Sequence, residues 1–227
     1  MSAKSDEWRT SPLYSIAEAA HLAQVSTRTV KRWLYGDDGI RPMYSVFDSK
    51  PEEEFKSPLV LSFLQLAEIV VATKFRQRGV TLDRVRRAHK YAKLALDLEY
   101  PFATLKLETL GGYILRRFEE DEPGASLLVL SASNQWTLPG IVIETFHNFD
   151  YEVDLAARWF PFGKTVPIVI DPRYASGVPT IPNRGVTIHA IKQRFKAGQS
   201  IRLISQDLRL SREQVEEALR YADKIAA

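Results

Sequence analysis

The sequence predicts an α+β fold, mainly α, in which two compact helical modules flank a small mixed middle region. Three observations lead there. Apolar residues recur at helical spacing behind Ser or Thr caps at both ends of the chain. From Phe102 onward the pattern shifts toward alternation, interrupted by Gly111-Gly112. The chain has 227 residues, 45% apolar and 26% charged, enough for two or three modest cores. The expected units are residues 1–100, residues 101–165 and residues 166–227.

The elements follow in order. Ser15 precedes a helix whose face carries Ile16, Ala19, Ala20 and Leu22. A turn at Ala23 to Val25 leads to a second helix, capped by Ser26, with Val30, Trp33 and Leu34 inward and Gly36 just past its end. Pro42 to Phe47 is expected as a short strand or wing, and a polar acidic loop follows. Ser62 and Gln65 form a capping box for a helix to Arg78, stopped by Gly79. Thr81 caps the next helix, with Leu82, Val85, Ala88, Ala92 and Ala95 as its apolar stripe and Tyr100-Pro101 as its end. Phe102 to Glu108 and Tyr113 to Phe118 read as a β-hairpin around the glycine pair, with Leu127 to Ser131 as a third strand. Pro139 opens a short helix containing Ile141, Ile143 and Phe146, and Trp159-Phe160-Pro161-Phe162 reads as packing. The apolar run Val166 to Ile170 leads into a Gly- and Pro-rich β arm ending at Gly185. Thr187, Ser200 and Ser211 then start three helices separated by tight turns, the last with Gln214 in a capping box.

Composition narrows the function. There are no cysteines, hence no disulfides or thiolate metal sites, as in a reducing cytoplasm. Glu68 and Lys74 interrupt the longest apolar run, so no membrane span is expected, and the N-terminus lacks the apolar core of a signal peptide. A cytoplasmic protein is expected. Lys and Arg against Asp and Glu number 16 to 12 over residues 1–98, 5 to 10 over 99–167, and 10 to 6 over 168–227. Basic ends around an acidic centre are compatible with nucleic-acid binding at one or both ends.

The second helix supplies the chemistry of a recognition helix. Ser26, Thr27, Arg28, Lys31 and Arg32 lie away from Val30 and Trp33, with polar groups for base edges and cations for phosphates. The same residues also suit the solvated face of an ordinary bundle. The following helix pair is basic: Lys74, Arg76, Arg78, Arg84, Arg86, Arg87, Lys90 and Lys93. Arg84 and Arg87 are its candidate phosphate contacts, or else partners of Asp83 or Asp97. The segments Y-S-I-A-E-A-A from Tyr14, V-S-T-R-T-V-K-R-W from Val25 and L-S-F-L-Q-L-A-E-I-V-V-A-T-K-F-R-Q-R-G-V-T-L-D-R-V-R-R-A from Leu61 resemble the MerR-like winged helix-turn-helix group. That resemblance spans about the first hundred residues, without the long coiled-coil helix or cysteine effector site of classical members.

The C-terminal residues carry a more specific resemblance. Asp171-Pro172, Gly177-x-Pro179, Ala197-Gly198 and Ala218-Leu219-x-Tyr221-Ala222 resemble a small, widespread domain long labelled as of unknown function. Asn183-Arg184-Gly185 replaces that domain's usual G-T-R turn. The module is trihelical and homeodomain-like, and the resemblance implies an antitoxin, since this domain commonly accompanies PIN-like ribonuclease toxins. The combination with a MerR-like domain is similar to larger VapB-type antitoxins. It implies operator DNA and a cognate PIN-like RNase toxin as partners, and a homodimer. Arg184, Arg209 and Arg212 are the candidate toxin-binding cations. A trihelical module that merely dimerises is the plainer alternative.

Enzymatic readings find little support. His21, His89, His147 and His189 are far apart with no metal-ligand spacing. Asp150, Glu152 and Asp154 match a nuclease carboxylate cluster, but also one polar strand face. Gly111-Gly112 lacks the context of a phosphate loop. No enzyme, metal or cofactor is expected. The second functional reading is a stand-alone MerR-like regulator binding a small apolar ligand among Trp136, Trp159, Phe160 and Phe162.

Overall fold

Hydroxyl side chains placed before apolar runs start most of the helices. The computed structural model describes residues 7–36, 47, 60–121, 126–130 and 136–225. After a short helix α1 (Glu7–Thr10), Ser15 caps α2 (Ile16–Leu22) in a full capping box with Glu18, and Ser26 caps α3 (Thr27–Tyr35). Ser62 and Gln65 form the expected box on α4 (Phe63–Gln77), and Thr81 caps α5 (Leu82–Leu96). Both α4 and its neighbours lie in the main core: Phe63, Leu66, Ile69, Val70 and Phe75 are fully or almost fully buried. The expected wing and acidic loop lie outside the described residues, apart from Phe47. That ring is buried, edge-on to Trp33 at 6.5 Å and to His89 at 5.2 Å.

The middle departs from expectation. No hairpin spans residues 102–118; a 3₁₀ turn (Pro101–Ala103) leads instead into a helix, α6 (Leu105–Asp121). The physical reason is that Leu107, Gly111, Ile114, Leu115 and Phe118 are all buried and recur at helical spacing. Gly111 marks close packing: a Cβ there would lie 3.2 Å from Leu138 Cδ1. The third strand shrinks to β1 (Val129–Leu130), antiparallel to β2 (Trp136–Thr137). The helix after Pro139 is present as α7 (Gly140–His147). An unexpected hairpin follows, β3 (Phe149–Glu152) with β4 (Leu155–Trp159), turning at Val153 and Asp154 with φ of 51° and 64°. The stripe on α5 also differs, since Arg84 and His89 are buried whereas Ala95 is exposed. This helix ends at Asp97, in the left-handed conformation, before Tyr100-Pro101 is reached.

The arm of residues 166–187 makes single bridges, Trp159 to Ile170, Val169 to Thr180 and Thr180 to Thr187, without longer strands. Thr187 then caps α8 (Ile188–Lys196), Ser200 caps α9 (Ile201–Leu208), and Ser211 with Gln214 starts α10 (Arg212–Ile225). The fold is α+β, mainly α. One apolar core joins the N-terminal helices to the middle, from Tyr14 to Ile170, and a second fills the C-terminal module around Ile188, Ile191, Ile204, Val215 and Ala218. Leu22 packs against both. Among the described residues no helix is long and apolar enough to cross a membrane.

Candidate nucleic-acid and partner surfaces

Ser26 sets the geometry of the N-terminal surface. Its Oγ accepts the Thr29 N–H at 3.0 Å, so the first turn of α3 is held while Thr27, Arg28 and Lys31 stay exposed. Arg32 is half-buried beside them, and Val30, Trp33 and Leu34 face the core. Among the described residues no ion pair engages Arg28 or Lys31. The first turn carries no acid, so its free N–H groups and the helix dipole add to the positive potential.

The basic helix pair is less uniform than its sequence suggests. Arg84 is only 3% exposed; its guanidinium sits 5.1 Å from the Phe118 ring centre and 3.8 Å from the Glu119 carboxylate on α6. Burial therefore withdraws Arg84 from the exposed stripe, contrary to its assignment as a phosphate contact. Arg87 is partly exposed and bonded to Asp83 at 3.0 Å, while Arg86 reaches the same carboxylate at 2.6 Å. The hydrogen bond from Arg86, aided by the charges of Arg87 and Arg86, holds the Asp83 carboxyl below its usual range. Arg76, Arg78 and Lys90 are exposed.

The three C-terminal candidates divide into two places. Arg209 is the exposed, left-handed C-cap of α9, and Arg212 opens α10 across the same turn, bonded to Glu216 at 2.6 Å. That bond raises the pKa of Arg212. Arg184 lies elsewhere, exposed between Asn183 and Gly185, whose φ values are 61° and 66°. It lines a groove of about 640 Å³ together with Arg158, Arg173, Asp171 and Glu152.

Sequence reasoning missed the joint between the chain's two ends. Arg9, 2% exposed, donates to the Glu152 carbonyl at 2.9 Å and approaches its carboxylate at 3.4 Å. Arg173 donates to the other Glu152 oxygen at 2.8 Å and clasps Asp171 with Nε and Nη2, at 2.9 and 2.8 Å. The Asp171 bond leads in raising the Arg173 pKa. Both guanidiniums also lie over the Trp8 ring, Arg9 at 4.6 Å and Arg173 at 4.7 Å from its centre. Nearby, buried Tyr14 donates its hydroxyl to the Gly177 carbonyl at 3.1 Å. Burial, then the charges of Asp171 and Glu18, push the Tyr14 phenol well above its ordinary range. The turn it meets is strained, with Ala175, Ser176 and Gly177 all at positive φ.

The other candidates resolve plainly. Asp150 is ion-paired with Arg158 at 2.8 Å and accepts a hydrogen bond from Lys164 at 2.7 Å, and Asp154 lies 3.7 Å from Lys106. Each carboxylate of the suspected cluster thus faces a cation, and among the described residues no group of three His, Asp or Glu could hold a metal. His89 is buried, with Nε2 2.9 Å from the buried Glu68 Oε1, which also accepts the Phe102 N–H at 3.1 Å. Trp159 stacks on Phe149 at 5.9 Å and Phe162 on Tyr221 at 4.2 Å. Both also line a cleft of about 430 Å³ that includes Lys74, Glu144, Asn148 and Lys224, more polar than the expected apolar pocket.

Residues 168–222 match the family described as "Protein of unknown function (DUF433)". Over 230 aligned residues the chain is 25% identical to "Putative antitoxin VapB45" of Mycobacterium tuberculosis, covering 95% of each protein. The crystal structure of RV2018 from the same organism superposes with a TM-score of 0.79 at 25% identity, covering 92% of this chain and 97% of that one. The likeness to a VapB-type antitoxin therefore extends over nearly the whole chain.

Proposed function

We propose that the chain is the antitoxin of a toxin–antitoxin pair that neutralises a PIN-like ribonuclease by direct binding and represses its own operon as a homodimer. The full-length likeness to a VapB-type antitoxin is the observation that carries this reading. On the N-terminal side, α3 binds operator DNA: Ser26, Thr27 and Arg28 approach base edges and phosphates, and Lys31 and Arg32 hold the backbone. Arg87 contributes to the phosphate contacts at the flank. On the C-terminal side, Arg184, Arg209 and Arg212 face the toxin, where a cation can enter a carboxylate-lined active site. The protein acts by binding, without chemistry of its own.

Co-expression with the product of the adjacent gene tests the reading. Growth rescue, a stable co-purifying complex and retarded operator DNA are the expected results. No toxicity, no complex and no DNA retardation would overturn it. The second reading, a ligand-responsive regulator, draws on the cleft beside Trp159 and Phe162. It predicts DNA binding that a small molecule changes in the absence of any protein partner.

A further inference from the structure

Helix α6 presents an exposed stripe whose residues complement themselves when the helix is reversed. Tyr113 is 66% exposed and Leu110 is 49% exposed, although both are large and apolar. Leu94 on α5 is 75% exposed. The Tyr91–Phe118 and Arg84–Phe118 contacts pack α5 against α6. Arg117 donates to the Tyr113 hydroxyl at 3.3 Å and so holds that ring in place on the surface. Leu110 and Tyr113, one turn apart on α6, make an exposed patch of the kind that marks an interaction site when left uncovered.

Charge identifies the occupant. Lys106 and Glu120 lie seven residues to either side of Tyr113. Seven residues are almost two full turns, so all three share one face of the helix. The Lys106 side chain is 45% exposed and that of Glu120 62% exposed; within the chain they contact Asp154 at 3.7 Å and Arg116 at 3.1 Å. A two-fold axis through Tyr113 would set a second α6 antiparallel to the first. Each Lys106 would then oppose the other copy's Glu120, and each Leu110 the aliphatic stem of the other copy's Arg116. A parallel pairing would set lysine against lysine and glutamate against glutamate. A self-complementary patch is what a two-fold homodimer requires.

We infer that the α6 face centred on Tyr113 and flanked by Leu110 is the homodimer seam, occupied by a second copy of this chain in antiparallel orientation. This rests on the homodimer named in the proposed function and places its seam outside the C-terminal module, leaving Arg184, Arg209 and Arg212 uncovered.

Sedimentation velocity on the full chain, across micromolar concentrations, tests it with a charge-swap cycle. Lys106→Glu and Glu120→Lys each put like charges at two symmetric positions and are expected to raise the dimer dissociation constant about tenfold. The double variant restores opposite pairs, with sign reversed, and is expected to return to within about threefold of the parent. Tyr113→Ala weakens the dimer by at least as much as either single reversal. Circular dichroism of each variant identifies any loss of fold, and the double variant serves as the internal control. A dimer indifferent to both single reversals would sink the seam while leaving the homodimer intact. A chain that is monomeric throughout would remove both.

Discussion

The helix pair α2–α3 and the three-helix module α8–α10 are built alike yet placed differently. Both use hydroxyl caps on short helices, and both begin from a cationic surplus. The N-terminal pair shares its core with the whole middle region, whereas the C-terminal module has a small core of its own. The charges differ in the same sense. Arg28 and Lys31 are exposed, and among the described residues no ion pair engages them. Several C-terminal cations are held by their own module: Arg194 by Asp207, Arg212 by Glu216 and Arg220 by Glu217. A cation already bonded gains less from a phosphate, because the existing pair must first be broken. The comparison teaches that a similar cationic surplus makes unequal surfaces, with Arg28 and Lys31 of the N-terminal pair left outside the ion pairs that engage Arg194, Arg212 and Arg220.

The largest expected perturbation breaks the joint between the two regions. A Cβ at Gly177 would meet Tyr14 Oη at 2.4 Å and Leu13 Cδ2 at 2.6 Å, and the residue sits at φ +69°. Gly177→Val should therefore lower unfolding free energy by about 2–4 kcal/mol, measured by urea titration. An unchanged midpoint would mean the two regions are not wedged together here. Next comes the surface itself. Arg28→Ala with Lys31→Ala should weaken operator binding about tenfold or more and reduce the salt slope by about 2, while toxin rescue is kept. Equal loss of DNA and toxin binding would abolish the division of labour.

Alkaline titration sharpens the joint further. The Tyr14 pKa is raised on folding, so its contribution is fully present below the ordinary value of about 10 and is lost as pH rises beyond it. Tyr14→Phe gives up the bond to Gly177 but removes this added alkaline sensitivity, visible as a flatter stability curve above pH about 10. Cap removal should be smaller, with Ser26→Ala and Thr187→Ala each costing about 1 kcal/mol. A much larger loss at Thr187 would show that the small C-terminal core depends more heavily on its helix starts. Smallest is Asp83→Asn. The Asp83 pKa is lowered, so its contribution is present above about pH 4 and lost as pH falls. At this exposed site it amounts to a few tenths of a kcal/mol.

Much of the helical framework was legible because capping is local chemistry. Ser15, Ser26, Ser62, Thr81, Thr187, Ser200 and Ser211 each announce a start within three residues. The segment from Phe102 to Phe118 was not, because Leu105, Leu107, Tyr113 and Leu115 alternate while a glycine pair imitates a turn. What decides for helix is the burial of Leu107, Gly111, Ile114, Leu115 and Phe118 on one face, with Leu138, distant in sequence, close against Gly111. The α3 surface could be read from spacing, since its inward face is apolar. Arg84 could not, because its burial depends on Phe118 and Glu119 of a helix that had been read as strand. The Arg9–Glu152–Arg173 joint links residues 143 and 21 positions apart, beyond any local pattern. Glu68 left one trace, an acid in the longest apolar run, and its partner His89, 21 positions away, showed only as a histidine without metal-ligand spacing.

The stack of Phe162 on Tyr221 bears on how such modules are inherited. The family match begins at residue 168, yet the last helix already leans on a ring six positions earlier, and Leu22 completes the same core from the other end of the chain. A graft starting at 168 would expose Tyr221 and leave a gap where Leu22 had been. A graft starting at Phe162 would carry that ring along, and would still need the recipient to supply a side chain in the place of Leu22.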